Sequence, residues 1–190
     1  MQATLPLETP RLRLRQWRDS DLAPFAALNA DPRVMACFPA PLSREASDAM
    51  VQRCRRLIAE RGWGFWAVAL RDNDACIGMT GLHVPDAPLP FSPCVEIGWR
   101  LAFDHWGKGY AQEAAQAALQ AGFIALHLPE IVAFTAVPNL RSSALMARLG
   151  MRREAATFEH PALPPGHRLR THCLYRLTRA EWVAKEGITP

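Results

Sequence analysis

The sequence predicts a single α/β (α+β) domain over residues 1–190, with a mixed, mostly antiparallel central sheet flanked by helices. Three observations carry this. Apolar residues at helical spacing and apolar residues in strict alternation take turns along the whole chain. Hydrophobic residues make up 49% and charged residues 21% of 190 positions, enough to bury a core without disulfides or structural metal. No repeat, linker or low-complexity stretch divides the run.

The elements follow in order. Residues 11–15, RLRLR, alternate between charge and apolar side chain and read as a half-buried strand. Asp19-Ser20-Asp21 reads as a helix N-cap with acidic first-turn residues, and Leu22, Phe25, Ala26 and Leu28 form the stripe that follows. Ser43 caps a second helix with the apolar face Ala46, Met50, Val51, Cys54, Leu57 and Ile58, and Gly62 ends it. Residues 63–70 and 75–84 read as a hairpin around the turn residues 71–74. Four prolines in 85–93 demand an exposed loop. Residues 94–101, CVEIGWRL, read as a third central strand, 110–126 as an Ala-rich helix and 131–137 as a buried strand. A short helix over 142–149 stops at Gly150, and 151–158 and 172–177 close the sheet around a Pro/Gly loop. The hairpins pair antiparallel. The strand–helix–strand crossover over 94–137 pairs in parallel or splays.

Composition excludes several classes. Five cysteines are an odd number with no CxxC pair, which argues against a disulfide framework and zinc knuckles and for reduced thiols in a cytoplasmic protein. The opening residues lack the apolar run of a signal peptide, and no stretch approaches the length of a membrane span. The formal charge is +4, all basic residues but Lys108 and Lys185 are arginines, and like charges never run beyond two. Nucleic-acid binding is therefore not expected. A mildly basic surface is compatible with an anionic ligand without implying one, and the chain is expected to be a monomer or homodimer.

Residues 106–111, WGKGYA, are the sharpest motif, between a strand and a helix. Gly107 and Gly109 let backbone amides turn toward one point, and the helix that begins near Tyr110 aims its positive end there. Such a place holds a pyrophosphate, with Lys108 adding a charge at the rim. The plainer reading is a glycine turn that joins strand to helix. A Walker A loop is excluded for want of GxxxxGK[ST], and a dinucleotide fingerprint for want of its third glycine.

These residues resemble the GCN5-related N-acetyltransferase superfamily, and within it the branch that includes ribosomal-protein alanine acetyltransferases. The superfamily loop pattern, Gln/Arg-x-x-Gly-x-Gly/Ala, falls on Trp106, Gly109 and Ala111. Tryptophan departs from the consensus but is similar to the WGKGYA form of that branch. Residues 139–151, NLRSSALMARLGM, are similar to the branch's second motif, 7–17 to its first strand and 95–101 to the strand before the loop. The resemblance covers about residues 5–183. It implies acetyl-CoA as co-substrate and an amine, on a protein N-terminus or a small molecule, as acceptor, with no metal.

The residues suit such chemistry. Amides of Gly107, Lys108, Gly109, Tyr110 and Ala111 fit the pyrophosphate. Leu101, Ala102 and Phe103, leaving the central strand, can offer pantetheine a strand-like partner. Asn139 either bonds the pantetheine or caps the helix that follows it, and the two roles are compatible. Glu96 is the candidate base, a carboxylate in an apolar strand where alternation puts it on one face with Gly98. A structural role, held by an arginine or by backbone amides, is the plainer reading. Many superfamily members carry a tyrosine as general acid where this chain has Met146. The branch resemblance offers Ser142, or water, instead, and first-turn helix chemistry is the other role for Ser142. Tyr175 reads as core. Cys94 and Cys173 have no evident His partner, so direct transfer in a ternary complex is expected rather than a thiol intermediate. Glu113 reads as a first-turn acidic residue and His105 as a surface residue. His160, His167 and His172 match no zinc spacing. That segment, with 85–93, Trp63, Phe65 and Trp66, is expected to shape the acceptor pocket. The alternatives are a non-catalytic CoA-binding or sensory module on the same fold, or a nucleotide-binding protein that uses the glycine loop.

Overall fold

The computed structural model of the protein describes residues 7–187; the expected domain span also includes 1–6 and 188–190, which lie outside the described residues. The chain groups into two compact units, 1–82 with 98–118 and 83–97 with 119–190. Among the described residues it forms eight strands, mostly antiparallel, and five α-helices.

In the first unit β1 (Leu7–Glu8), β2 (Leu12–Arg15), β3 (Phe65–Leu70) and β4 (Cys76–His83) pair antiparallel in sequence order up to β4. The alternation in 11–15 does what its pattern implies: Leu12 and Leu14 are buried, and Arg13 and Arg15 lie nearer the surface. The hairpin of β3 and β4 packs backbone on backbone at Gly81, where a Cβ would stand 1.9 Å from the Gly64 carbonyl oxygen. Helix α1 (Leu22–Ala30) and α2 (Arg44–Arg61) follow their predicted stripes. Ser43 accepts from the Ala46 amide, and Gly62 closes α2 in the left-handed region.

The start of α1 departs from expectation. Asp19–Asp21 is a 3-10 turn, and the Asp21 side chain makes no cap hydrogen bond to the helix. Its carboxylate is 2% exposed and accepts two bonds from the Arg15 guanidinium, 2.7 and 3.0 Å, and one from the Arg18 amide, 2.8 Å. A carboxylate this buried needs a cation more than the helix needs a cap.

Strand β5 (Glu96–Leu101) contributes its first residues to the second unit and its last four to the first. It meets β6 (Glu130–Ala136) in parallel at Glu96 and Val132, as the crossover predicts, and the Val132 amide donates to Val95 O. β8 (Thr171–Thr178) pairs antiparallel with β6 and with β7 (Arg152–Glu159). The helix expected over 110–126 is α3 (Tyr110–Gln120) followed by a π turn, in which the Leu126 amide reaches back to Ala121 O. Gly122 lies inside that turn, where helical backbone is least constrained. Helix α4 (Leu140–Arg148) packs Leu145 and Met146 inward.

Helix α5 (Arg179–Glu186) was not expected. Thr178 and Glu181 form a capping box at its start, a signal that the sequence carries openly. Trp182 from α5 packs its ring 5.4 Å from that of Phe123.

Replacing Gly81 with alanine is expected to cost about 2 kcal/mol through overpacking, a fall in Tm of roughly 5 °C for a chain of this length. Thermal denaturation of Gly81→Ala checks it; an unchanged Tm contradicts the backbone contact.

Candidate functional site

The 106–111 loop belongs wholly to the first unit, and its glycines have the geometry that the sequence asks for. Gly107 and Gly109 have φ of 73° and 81°, and a Cβ on Gly107 would meet nothing within 4 Å. The first bond of α3 runs from the Glu113 amide to Gly109 O, 3.0 Å. The amides of Tyr110, Ala111 and Gln112 therefore precede the helical ladder and have no partner within it. They can hold an oxyanion.

Glu113 braces this loop, a role that a first-turn acidic residue does not announce. Its carboxylate accepts from Thr9 Oγ1 at 2.6 Å, the Arg11 amide at 2.9 Å and Arg11 Nε at 2.6 Å. Arg11 in turn donates from Nη1 to Lys108 O at 2.9 Å, and its guanidinium lies 4.6 Å over the Tyr110 ring. Burial opposes ionisation of Glu113, but the bonds from Thr9 and Arg11 outweigh it and hold the carboxyl below its ordinary range. Trp106 ties the other side of the loop, donating from its indole N–H to Leu101 O at 2.8 Å. His105 stands half-buried beside the loop, its imidazole held below the ordinary pKa by burial and by Lys108.

The exit from β5 is less strand-like than expected. Phe103 opens a 3-10 turn, Ala102 donates its amide to Ile77 O at 2.9 Å, and the carbonyls of Ala102 and Phe103 accept from His105 and Trp106. With Leu101 O given to Trp106, most of the polar backbone of this segment is engaged. The chain turns at once into the loop.

Glu96 belongs to the second unit. It is partly exposed, yet enough protein surrounds it that burial, with the nearby charge of Asp86, pushes its carboxyl up to about 8. No arginine among the described residues pairs with it, so the structural pairing weighed above is absent. A carboxyl group with that pKa can take a proton near neutral pH.

Asn139 caps α4: Oδ1 accepts from the Ser142 amide at 3.3 Å, and Nδ2 donates to Thr135 Oγ1 at 2.9 Å. Ser142 is a half-buried first-turn residue. Met146 and Tyr175 are 2% and 5% exposed and belong to the core. Burial, with the negative charge of Glu96, pushes the Cys94 thiol up, and Cys173 is buried 3.7 Å from Ser143 Oγ.

Of the expected pocket-lining groups, Phe91 from the 85–93 loop packs on Phe134 and Phe158, and His160 and His172 stack beside them at 4.8 Å. Trp66 is a correction: it is 0% exposed and fills the core of the first unit, because β3 is buried on both faces from Trp66 to Ala69.

A loop that can hold an oxyanion at a helix start suits a phosphorylated ligand. Comparison with known proteins agrees. The model of the acetyltransferase (GNAT) domain matches residues 11–152, and the chain belongs to that family. It is 31% identical over 177 residues to the uncharacterized N-acetyltransferase YnaD of Bacillus subtilis, covering 93% of this chain and 98% of that one. It is 27% identical over 191 residues to the FsC-acetyl coenzyme A-N(2)-transacetylase of Aspergillus fumigatus, covering 96% and 80%. The crystal structure of a GNAT-family acetyltransferase from Bacillus anthracis superposes with a TM-score of 0.76 at 25% identity over 93% of this chain and 99% of that one. The chain is thus an acetyltransferase.

Removing the brace tests the loop. Glu113→Ala is expected to weaken acetyl-CoA binding about tenfold, the scale of one charge-assisted hydrogen bond, as read by calorimetric titration. Unchanged affinity would detach the brace from the loop.

Proposed function

We propose that the chain is an acetyl-CoA-dependent N-acetyltransferase that moves an acetyl group to a primary amine by direct transfer, its two units forming one catalytic domain. The observation that carries this is the 106–111 loop, whose positive-φ glycines and free first-turn amides suit the pyrophosphate of CoA. Gly107, Lys108, Gly109, Tyr110 and Ala111 take the phosphates. Leu101 and Phe103 border the pantetheine, while Trp106 holds the strand exit and the loop together. Ala102, with its amide on Ile77, contributes shape only.

Glu96 acts as general base. It takes a proton from the ammonium or attacking amine, the nitrogen forms its bond to the thioester carbonyl carbon, and the carbon–sulfur bond breaks. The thiolate of CoA then takes a proton from Ser142 or water, and the proton shed by the nitrogen as the amide forms, directly or through Glu96, restores that donor. A base with a pKa near 8 is matched to an amine that must lose its proton. Direct transfer is supported by the thiols: burial pushes Cys54 up to about 11 and Cys76 up to about 12, and Cys94 is raised as well. Neutral thiols are poor nucleophiles. Five free cysteines suit a reducing, cytoplasmic setting. The acceptor is a protein N-terminus or a small-molecule amine, and the motifs resemble the ribosomal-protein branch.

The test is release of the CoA thiol from acetyl-CoA with a panel of amines and of peptides that begin with Ala, Ser and Thr. Turnover with at least one acceptor is expected. The rate should rise with pH through about 8, because Glu96 works as a base only once its raised carboxyl has ionised. Glu96→Gln should lower kcat by roughly 10²-fold with CoA affinity kept. Binding of acetyl-CoA with no thiol release against every amine would replace this reading with a sensory module.

A further inference from the structure

Arg100 is the one arginine among the buried polar residues of the first unit, 8% exposed, and nothing in the sequence reading singled it out. Its Nη1 donates to Asn29 Oδ1 at 2.6 Å, with Met50 Sδ at 3.9 Å, and the guanidinium lies 4.1 Å from the centre of the Phe38 ring. Asn29 is itself fixed, its Nδ2 donating to Ser47 Oγ at 2.9 Å. Arg100 Nε is buried with no hydrogen-bond partner.

No carboxylate among the described residues answers this charge. The groups that face it from α1, α2 and the 31–42 loop are an amide, a thioether, a phenyl ring and Cys54. Burial keeps the Cys54 thiol protonated at neutral pH. Burying a guanidinium with one neutral acceptor and an orphaned Nε is unfavourable unless something completes it. Arg15 makes the contrast within the same unit: though less buried, it holds Asp21 with two bonds and Asp74 with a third. With Nη1 of Arg100 committed, the edge that includes Nε is left without a partner; it is closed to solvent under the 31–42 loop, and it is the kind of edge that grips a carboxylate with parallel bonds once reached.

The surroundings place this edge next to the substrate-binding backbone. Arg100 immediately precedes Leu101 and the turn into the glycine loop. The 31–42 loop covers both: Arg33 lies 4.1 Å over the Phe103 ring, and half-exposed Phe38 lies over Arg100.

We propose that Arg100 binds the carboxylate of the acceptor, so that the enzyme acetylates an amine that also carries a carboxyl group. This rests on the transferase reading above. It favours a free amino acid or amino-acid-like molecule over a protein N-terminus, whose α-carboxyl is spent in a peptide bond.

The test compares the twenty free amino acids with their carboxamides on the CoA-saturated protein, by calorimetric binding and by thiol release from acetyl-CoA. At least one free acid should bind and turn over tenfold or more better than its amide. Arg100→Gln, which can still donate to Asn29, should erase that preference while CoA affinity stays the same, and Arg100→Lys should keep only part of it. Equal binding of acid and amide, no carboxylate binding at millimolar concentration, or a preference that survives in Arg100→Gln overturns the proposal. Should Arg100→Gln fail to fold, the comparison in the unaltered enzyme decides alone. Arg100-dependent carboxylate binding without turnover of any amine would leave the subsite standing and remove the transferase reading.

Discussion

One carboxylate organises the glycine loop. Glu113 gathers the hydroxyl of Thr9, the amide of Arg11 and the Arg11 guanidinium, and through Arg11 it fixes the carbonyl of Lys108. A loop with two residues at positive φ gives up regular backbone bonding, so its shape depends on braces from outside it. The turn between β1 and β2, the start of α3 and the loop are held by this one group. The same brace leaves the first-turn amides of α3 facing outward, which is what an anion requires. Arg11 is thereby neutralised locally, and the helix end supplies the attraction.

Two ionisable groups on β5 are handled differently. Neither Glu96, half-buried near the like charge of Asp86, nor Arg100, buried among neutral side chains, has an opposite charge beside it, and their pKa values are pushed toward the uncharged form, up to about 8 and down to about 10. Elsewhere buried charge is paired, as in Arg15 with Asp21 and Asp74. A fold that pairs its structural charges yet leaves two on one strand without opposite partners is spending stability there, and unpaired groups of this kind concentrate where ligands bind. For Glu96 the sign is definite. A carboxyl raised in the folded state costs stability as pH rises from its unfolded value through about 8, so the group is retained for something other than stability.

Much of this was legible in the chain. Ser43 and Gly62 bound α2 because capping is local chemistry, and the Asn139 cap was read for the same reason. The glycine loop was legible because only glycine occupies its backbone region readily. The rest was carried by distant partners. Thr9 and Glu113 are 104 positions apart and Asn29 and Arg100 are 71 apart, and no periodicity links such pairs. Trp66 lies in the core because β3 is covered on both faces, which the aromatic run WGFW does not reveal. Helix α5 is different: Thr178-Arg179-Ala180-Glu181 is a local signature that went unread.

The central claim is that the braced loop recognises the phosphates of CoA. Calorimetric titration with pantetheine and with 4′-phosphopantetheine, which differ by one phosphate, tests it most directly. The phosphorylated compound should bind more than tenfold tighter, by about 1.4 kcal/mol or more, and the gain should vanish at high salt far less than a surface ion pair would. Equal affinity for the two compounds would contradict the account.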